Sequence, residues 1–178
     1  LMDEMKHYAK LYSSNKTIFE VWYLSRQGLD DSYDEEFNVS FKWDLDLLSG
    51  YPSRFITDPT PSSLGGFWGL KLPKDFRRQL INAKPSAILI QGWHFFACIK
   101  AIFISHSLGI PVWIRGDSND LKKDSLLKSL VKKLVLGFLF KRIDKFLYVG
   151  KSTKRLYKKY KVPDEKLIRS PHAVDNEY

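Results

Sequence analysis

Short apolar runs and longer amphipathic segments alternate regularly through the second half of this chain. Ala87 to Gln91 is a continuous apolar run, His94 to Leu108 repeats its apolar residues at helical spacing before Gly109, and Ile110 to Arg115 is apolar again. The pattern predicts strand, helix, strand. A longer helix is predicted from about Ser118 to Arg142, because Leu126, Leu127, Leu130, Val131, Leu134, Val135, Phe138 and Leu139 recur at helical intervals, with lysines largely between them. Lys145 to Val149 then reads as a strand, Ser152 to Tyr160 as a helix, and Leu167 to Arg169 as a short last strand. The first half is less regular. Asp3 to Ser14 has the spacing of a short helix, Ile18 to Leu24 that of a buried strand, and Asn38 to Trp43 that of a strand near a sheet edge. Between the two strands Gln27 to Glu36 is polar and acidic, and Asp44 to Gly66 is a long connection rich in Pro, Ser and Gly, a type that is usually functional or mobile. A helix over Lys74 to Asn82 leads into the regular part.

Strands that alternate with helices are joined by right-handed crossovers and lie parallel in one sheet. The expected fold class is α/β, a Rossmann-like open parallel sheet with helices on both faces. With 178 residues, 44% hydrophobic and 15% aromatic, the chain has material for one domain with a substantial core, so residues 1–178 read as a single domain. That composition excludes a disordered or fibrous chain. Cys98 is the one cysteine, so no disulfide within the chain and no cysteine zinc cage can form, and a reducing, cytoplasmic setting is expected. The longest uncharged stretch, Pro85 to Ile99, contains Ser86, Gln91 and His94 and falls short of the ~20 apolar residues that span a bilayer. The reading is a soluble domain with no secretory signal. It opens on a helix with no strand before it, from which a larger parent protein is expected.

The net charge of +9, from 29 Lys and Arg against 20 Asp and Glu, is unevenly spread. Leu121 to Lys161 holds 14 basic and 2 acidic residues, which leaves 15 basic and 18 acidic elsewhere. One segment is basic, and the rest is slightly acidic. Lys122, Lys123, Lys128, Lys132 and Lys133 within it form either the solvated face of a core helix or a surface that sits against anionic lipid, where each cation contributes roughly 1 kcal/mol. Phosphate backbones attract the same lysines, but no recognition helix, zinc finger or RNA-binding signature accompanies them, so nucleic acid is not the expected partner.

Ligands of open parallel sheets bind beyond the carboxyl ends of the strands, which directs attention to the loops there. Ser25 to Gly28 follow the first strand, Gly92, Trp93 and His94 follow Gln91, and Asp117, Ser118 and Asn119 follow Arg115 and Gly116. Gly150, Lys151 and Ser152 follow Val149, and Ser170, Pro171 and His172 follow Arg169. A glycine with polar side chains at a helix start suits a sugar hydroxyl or a phosphate facing backbone N–H groups. Each also has a plain structural role: Asp117, Ser118 and Ser152 as helix caps, His94 as a surface or packed histidine. Arg115 leaves an apolar run and needs a partner, either Asp117 or an anionic ligand. No phosphate-binding lysine loop, dinucleotide glycine fingerprint, nucleophile elbow or histidine metal motif is present, and Gly65-Gly66-Phe67-Trp68-Gly69 lacks the flanking strand and helix of a phosphate cradle.

Trp43-Asp44-Leu45-Asp46-Leu47-Leu48-Ser49-Gly50-Tyr51, Leu89-Ile90-Gln91-Gly92-Trp93-His94, Ile110-Pro111-Val112-Trp113-Ile114-Arg115-Gly116-Asp117-Ser118 and Tyr148-Val149-Gly150-Lys151-Ser152 occur in this order, followed by Val162 to Asp175. Together they resemble the N-terminal domain of family 4 glycosyltransferases of the GT-B fold. The resemblance implies an acceptor-binding domain of a retaining enzyme that works without a bound metal, whose nucleotide-sugar donor is held by a glutamate pair in a C-terminal domain this chain does not contain. It implies that Gly92, Trp93 and His94 line the acceptor side and that Arg115 stands at a cleft position often occupied by histidine. It also implies that residues 170–178 lead into the interdomain linker. Relatives often carry asparagine-glycine where His172-Ala173 stand here, and they begin with a strand and glycine loop ahead of the first helix.

From this resemblance the expected function is the acceptor-binding half of a cytoplasmic transferase that builds surface polysaccharide or a glycolipid, inactive alone, with a sugar or lipid-linked acceptor and an anionic membrane surface as expected partners. No metal and no cofactor of its own are expected. The alternatives are a non-catalytic α/β binding module whose basic segment meets nucleic acid or a protein, and a degenerate transferase domain that serves as a scaffold.

Overall fold

The computed structural model describes residues 19–25, 32–34, 39–41, 48, 50–57, 66–118 and 126–172. The helix expected over Asp3 to Ser14, the loop residues Arg26 to Gly28, Asn119, Lys122 and Lys123, and the linker-like end from Ala173 onward lie outside them. The chain divides into two compact units, Leu1–Pro73 with His172–Tyr178 and Lys74–Pro171, where the sequence leads us to expect one.

In the first unit, β1 (Val21–Tyr23) pairs in parallel with β4 (Ser53–Phe55), and β2 (Ser32–Asp34) pairs antiparallel with β3 (Val39–Phe41). β1 and β3 fall inside the predicted strands. β2 arises within the polar stretch and β4 within the long connection, so both are additions to the sequence reading. Tyr51 is buried against Phe19, Val21 and Tyr23, and its hydroxyl is hydrogen-bonded to that of Tyr23. The Thr57 hydroxyl donates to the Leu24 carbonyl at 3.0 Å, and so fastens the chain just beyond each strand.

The second unit carries the regular alternation. Helix α1 (Phe76–Ala83) is followed by β5 (Ile88–Gln91), α2 (Phe96–Ser107), β6 (Val112–Gly116), α3 (Leu126–Phe140), β7 (Lys145–Tyr148), α4 (Lys151–Lys159), a single 3-10 turn at Asp164–Lys166 and β8 (Leu167–Arg169). α1 ends where Lys84 takes a left-handed conformation ahead of Pro85, which cannot continue a helix. α2 ends at Gly109, whose φ of +71° is a conformation that glycine adopts at no steric cost. The strands form one parallel sheet, as the periodicity predicts, in the order β5-β6-β7-β8. Each crossover therefore moves the same way across the sheet, and right-handed connections put α2, α3 and α4 side by side.

Ring contacts confirm that arrangement. Phe103 of α2 lies 5.8 Å from Phe138 of α3, and Phe140 of α3 lies 5.9 Å from Tyr157 of α4. Beneath them Ile90, Val112, Ile114 and Phe146 project from alternate strand positions and are buried. Leu147 and Arg115, which point to the opposite face, are buried as well. At the amino-terminal edge Asp144 grips β6 twice: its carboxylate accepts from the Val112 amide at 2.8 Å, and its own amide donates to the Val112 carbonyl at 2.8 Å. Cys98 is buried in α2, and burial pushes its thiol up, so it stays protonated at neutral pH.

Phe146 touches Phe140 at 5.1 Å and Tyr157 at 4.9 Å between ring centroids and is fully buried. Replacing it by alanine removes the contact that two helices share, and chemical denaturation should show a loss of about 3–5 kcal/mol.

Candidate functional site

Four of the loops singled out in the sequence converge at the carboxyl edge of the second unit's sheet. The turn after β5 depends on Gly92, whose φ of +73° is left-handed and whose missing Cβ would stand 3.3 Å from His94 Nδ1. That turn lays the Trp93 indole across the top of the helical layer, 5.5 Å from Phe140 and 6.3 Å from Tyr157. Trp93 is half-buried there, while His94 is exposed with its ring tilted 30° to the indole. The next strand contributes Gly116, where a Cβ would meet Trp93 at 3.9 Å and the Tyr157 hydroxyl at 3.8 Å. Asp117 follows, exposed, and Ser118 is half-buried. Neither is described as a helix cap, because the described part of α3 begins at Leu126.

The turn after β7 lies beside the one after β6, since Gly116 is in register with Tyr148. Gly150 holds the N-cap position of α4 in an extended conformation, and no side chain caps the helix. Ser152, expected as the cap, stands inside the first turn. The first-turn amides, with exposed Lys151 and no acidic residue among them, make this end of α4 electropositive. An exposed carboxylate at Asp117 thus neighbours a helix start suited to an anion.

Arg115 stands at the strand end as expected, with partners other than the Asp117 or anionic ligand that the sequence suggests. It points to the face away from the helices, is 3% exposed, and reaches over β7 to the chain leaving β8. Its Nε donates to Ser170 Oγ at 3.2 Å, and one terminal nitrogen donates to the carbonyls of Ser170 and Pro171 at 3.5 and 3.3 Å. These bonds tie the end of β8 to β6, which is a structural task for a cation read as a ligand contact. His172, just beyond, is exposed.

Tyr157 is the residue that sequence reasoning missed. It is fully buried beneath Trp93 and Gly116, and its hydroxyl has no hydrogen-bond partner among the described residues. Burial, and after it the negative charge of Asp117, push the phenol well above the ordinary tyrosine range, so it remains a proton donor. The available signal was the apolar face of α4, on which Thr153, Leu156 and Tyr157 fall. No group of three or more His, Cys, Asp and Glu among the described residues is arranged to hold a metal ion.

What the edge can do chemically follows from this set. A half-buried indole offers a flat apolar wall, the Asp117 carboxylate accepts hydrogen bonds from hydroxyls, and the α4 start with Lys151 favours an anionic group. No family model, curated protein or solved structure matches this chain.

An unpartnered buried hydroxyl lowers stability, so Tyr157→Phe should leave the free chain as stable as before or raise it by up to about 1 kcal/mol. The sign of the pH effect follows from the raised value. Above about pH 10 the unfolded chain loses a phenolic proton that the folded chain keeps, so stability falls as pH rises. Denaturant titrations across that range should show wild type falling up to about 1.4 kcal/mol per pH unit more steeply than Tyr157→Phe.

Proposed function

We propose that this chain is the acceptor-binding half of a retaining, nucleotide-sugar-dependent glycosyltransferase that acts in surface polysaccharide or glycolipid synthesis. The observation that carries the reading is the side-by-side placement of Trp93, Asp117 and the uncapped start of α4 on one edge of a parallel sheet. It joins the ordered motifs of the sequence to a surface whose apolar wall, carboxylate and electropositive helix start suit a sugar.

In this account Trp93 supplies the apolar wall for a sugar ring, Asp117 orients acceptor hydroxyls, and Lys151 with the α4 amides draws an anionic part of acceptor or donor. Gly92 and Gly150 shape the two turns, and His94 and Ser118 line the rim. Arg115 acts through Ser170 and Pro171, holding the chain where it leaves the sheet. The donor is held by a second domain, so the chain alone binds an acceptor and transfers nothing.

Asp117 is exposed, so Asp117→Asn should leave the unfolding midpoint unchanged while weakening acceptor binding by roughly tenfold or more in calorimetry, the size of a lost hydrogen bond to a charged group. The enzymatic claim needs the gene-length protein and a broad panel of nucleotide sugars with soluble and lipid-linked acceptors. Transfer from at least one donor is expected; failure across the panel would overturn the reading.

A further inference from the structure

Among the described residues the longest helix, α3, exposes large apolar residues on its outer side. α3 buries Leu136, Leu139 and Phe140, yet Leu134, Val135 and Phe138 are 67%, 56% and 55% exposed. The spacing of Leu134 and Phe138 puts them one turn apart on one face. With Ile99 and Phe103 of α2 they bound a shallow apolar groove of about 430 Å³. A helix that is apolar on its outer face as well as its inner one normally has something covering both.

The charges around the groove indicate what covers it. Neither α2 nor the stretch Leu126 to Ile143 contains an acidic residue, while Lys100, Lys133 and Lys141 are exposed at its borders. Arg142 is built into the patch itself, with its guanidinium 3.6 Å from the Phe138 ring centre and 4.7 Å from that of Phe103. One spot therefore presents an aromatic surface for acyl chains and a cation for a phosphate. A second copy of the chain packed across a twofold axis would bring like charges together, which disfavours it. Among the described residues no helix is long and apolar enough to cross a membrane; an exposed apolar stripe bordered by cations is the pattern of a helix that lies in a lipid surface.

We propose that the outer face of α3, with the adjoining edge of α2, docks into the surface of a bilayer containing anionic phospholipid. Leu134, Val135 and Phe138 enter the acyl boundary, and Arg142, Lys133 and Lys141 meet the headgroup phosphates. Of the lysines expected from sequence to face the membrane, Lys133 stands on the flank of the contact, and apolar side chains form its centre. This inference stands independently of the transferase reading and survives if the sheet edge binds something other than a sugar.

Sedimentation of the full chain with vesicles of equimolar phosphatidylglycerol and phosphatidylcholine tests it, with phosphatidylcholine vesicles as the comparison. Binding to the anionic vesicles should be at least roughly tenfold tighter. Leu134→Asp with Phe138→Asp should weaken it by roughly tenfold or more, and Lys133→Glu with Lys141→Glu should weaken it on anionic vesicles alone, with circular dichroism unchanged in both. A gain-of-signal variant guards against misfolding: Val135→Trp should show added fluorescence that brominated acyl chains quench. Equal binding to both vesicles, full retention by the Asp variant, or an unquenched Val135→Trp would overturn the proposal. So would tighter binding to duplex DNA than to the vesicles, or a dimer that Phe138→Asp dissolves while vesicles are ignored.

Discussion

The fully buried ring of Phe146 is the constraint on which the second unit turns, because two helices and the sheet meet there. Phe140 and Tyr157 pack against it edge to face, and Trp93 closes over Phe140 and Tyr157 from the β5 turn. Such pairs each contribute about 0.5–1.5 kcal/mol beyond area burial, but their geometric effect matters more here. They fix the height of α3 and α4 above the sheet, and so decide where the carboxyl-edge turns stand. The candidate site is the upper rim of this aromatic cluster.

That dependence explains which features the sequence made legible. β5 to β8 and their helices follow from apolar periodicity alone, since each is a local pattern. β4 is not local: Ser53-Arg54-Phe55 sits among turn-forming residues and becomes a strand by pairing with β1 far upstream. Arg115 has the same character, because its Ser170 partner lies 55 positions away and no spacing rule connects them. Tyr157 reads as one more apolar position of α4, and its lone hydroxyl becomes visible only once Gly116 and Trp93 are placed above it.

α3 shows a different limit. Its apolar residues surround the helix, so periodicity cannot say which sector meets the sheet. Leu136, Leu139 and Phe140 are the buried ones, with Phe140 set against Phe146 of β7 and Tyr157 of α4, and Leu134, Val135 and Phe138 are left outward. The same helix carries Lys133 and is followed directly by Lys141 and Arg142, so an apolar centre and a cationic border arise from one stretch of sequence. The sheet edge and the α3 face are thus two surfaces held in place by one core.

The central claim is that the carboxyl edge of β5, β6 and β7 receives a sugar acceptor. Amide and indole N–H chemical shifts of the labelled chain, followed while oligosaccharide and lipid-linked acceptors are added, test it most directly. The account predicts saturable shifts at residues 92–94, 117–118 and 150–152, with the Trp93 indole among the largest. Shifts confined to other parts of the chain, or none with any acceptor, would contradict it.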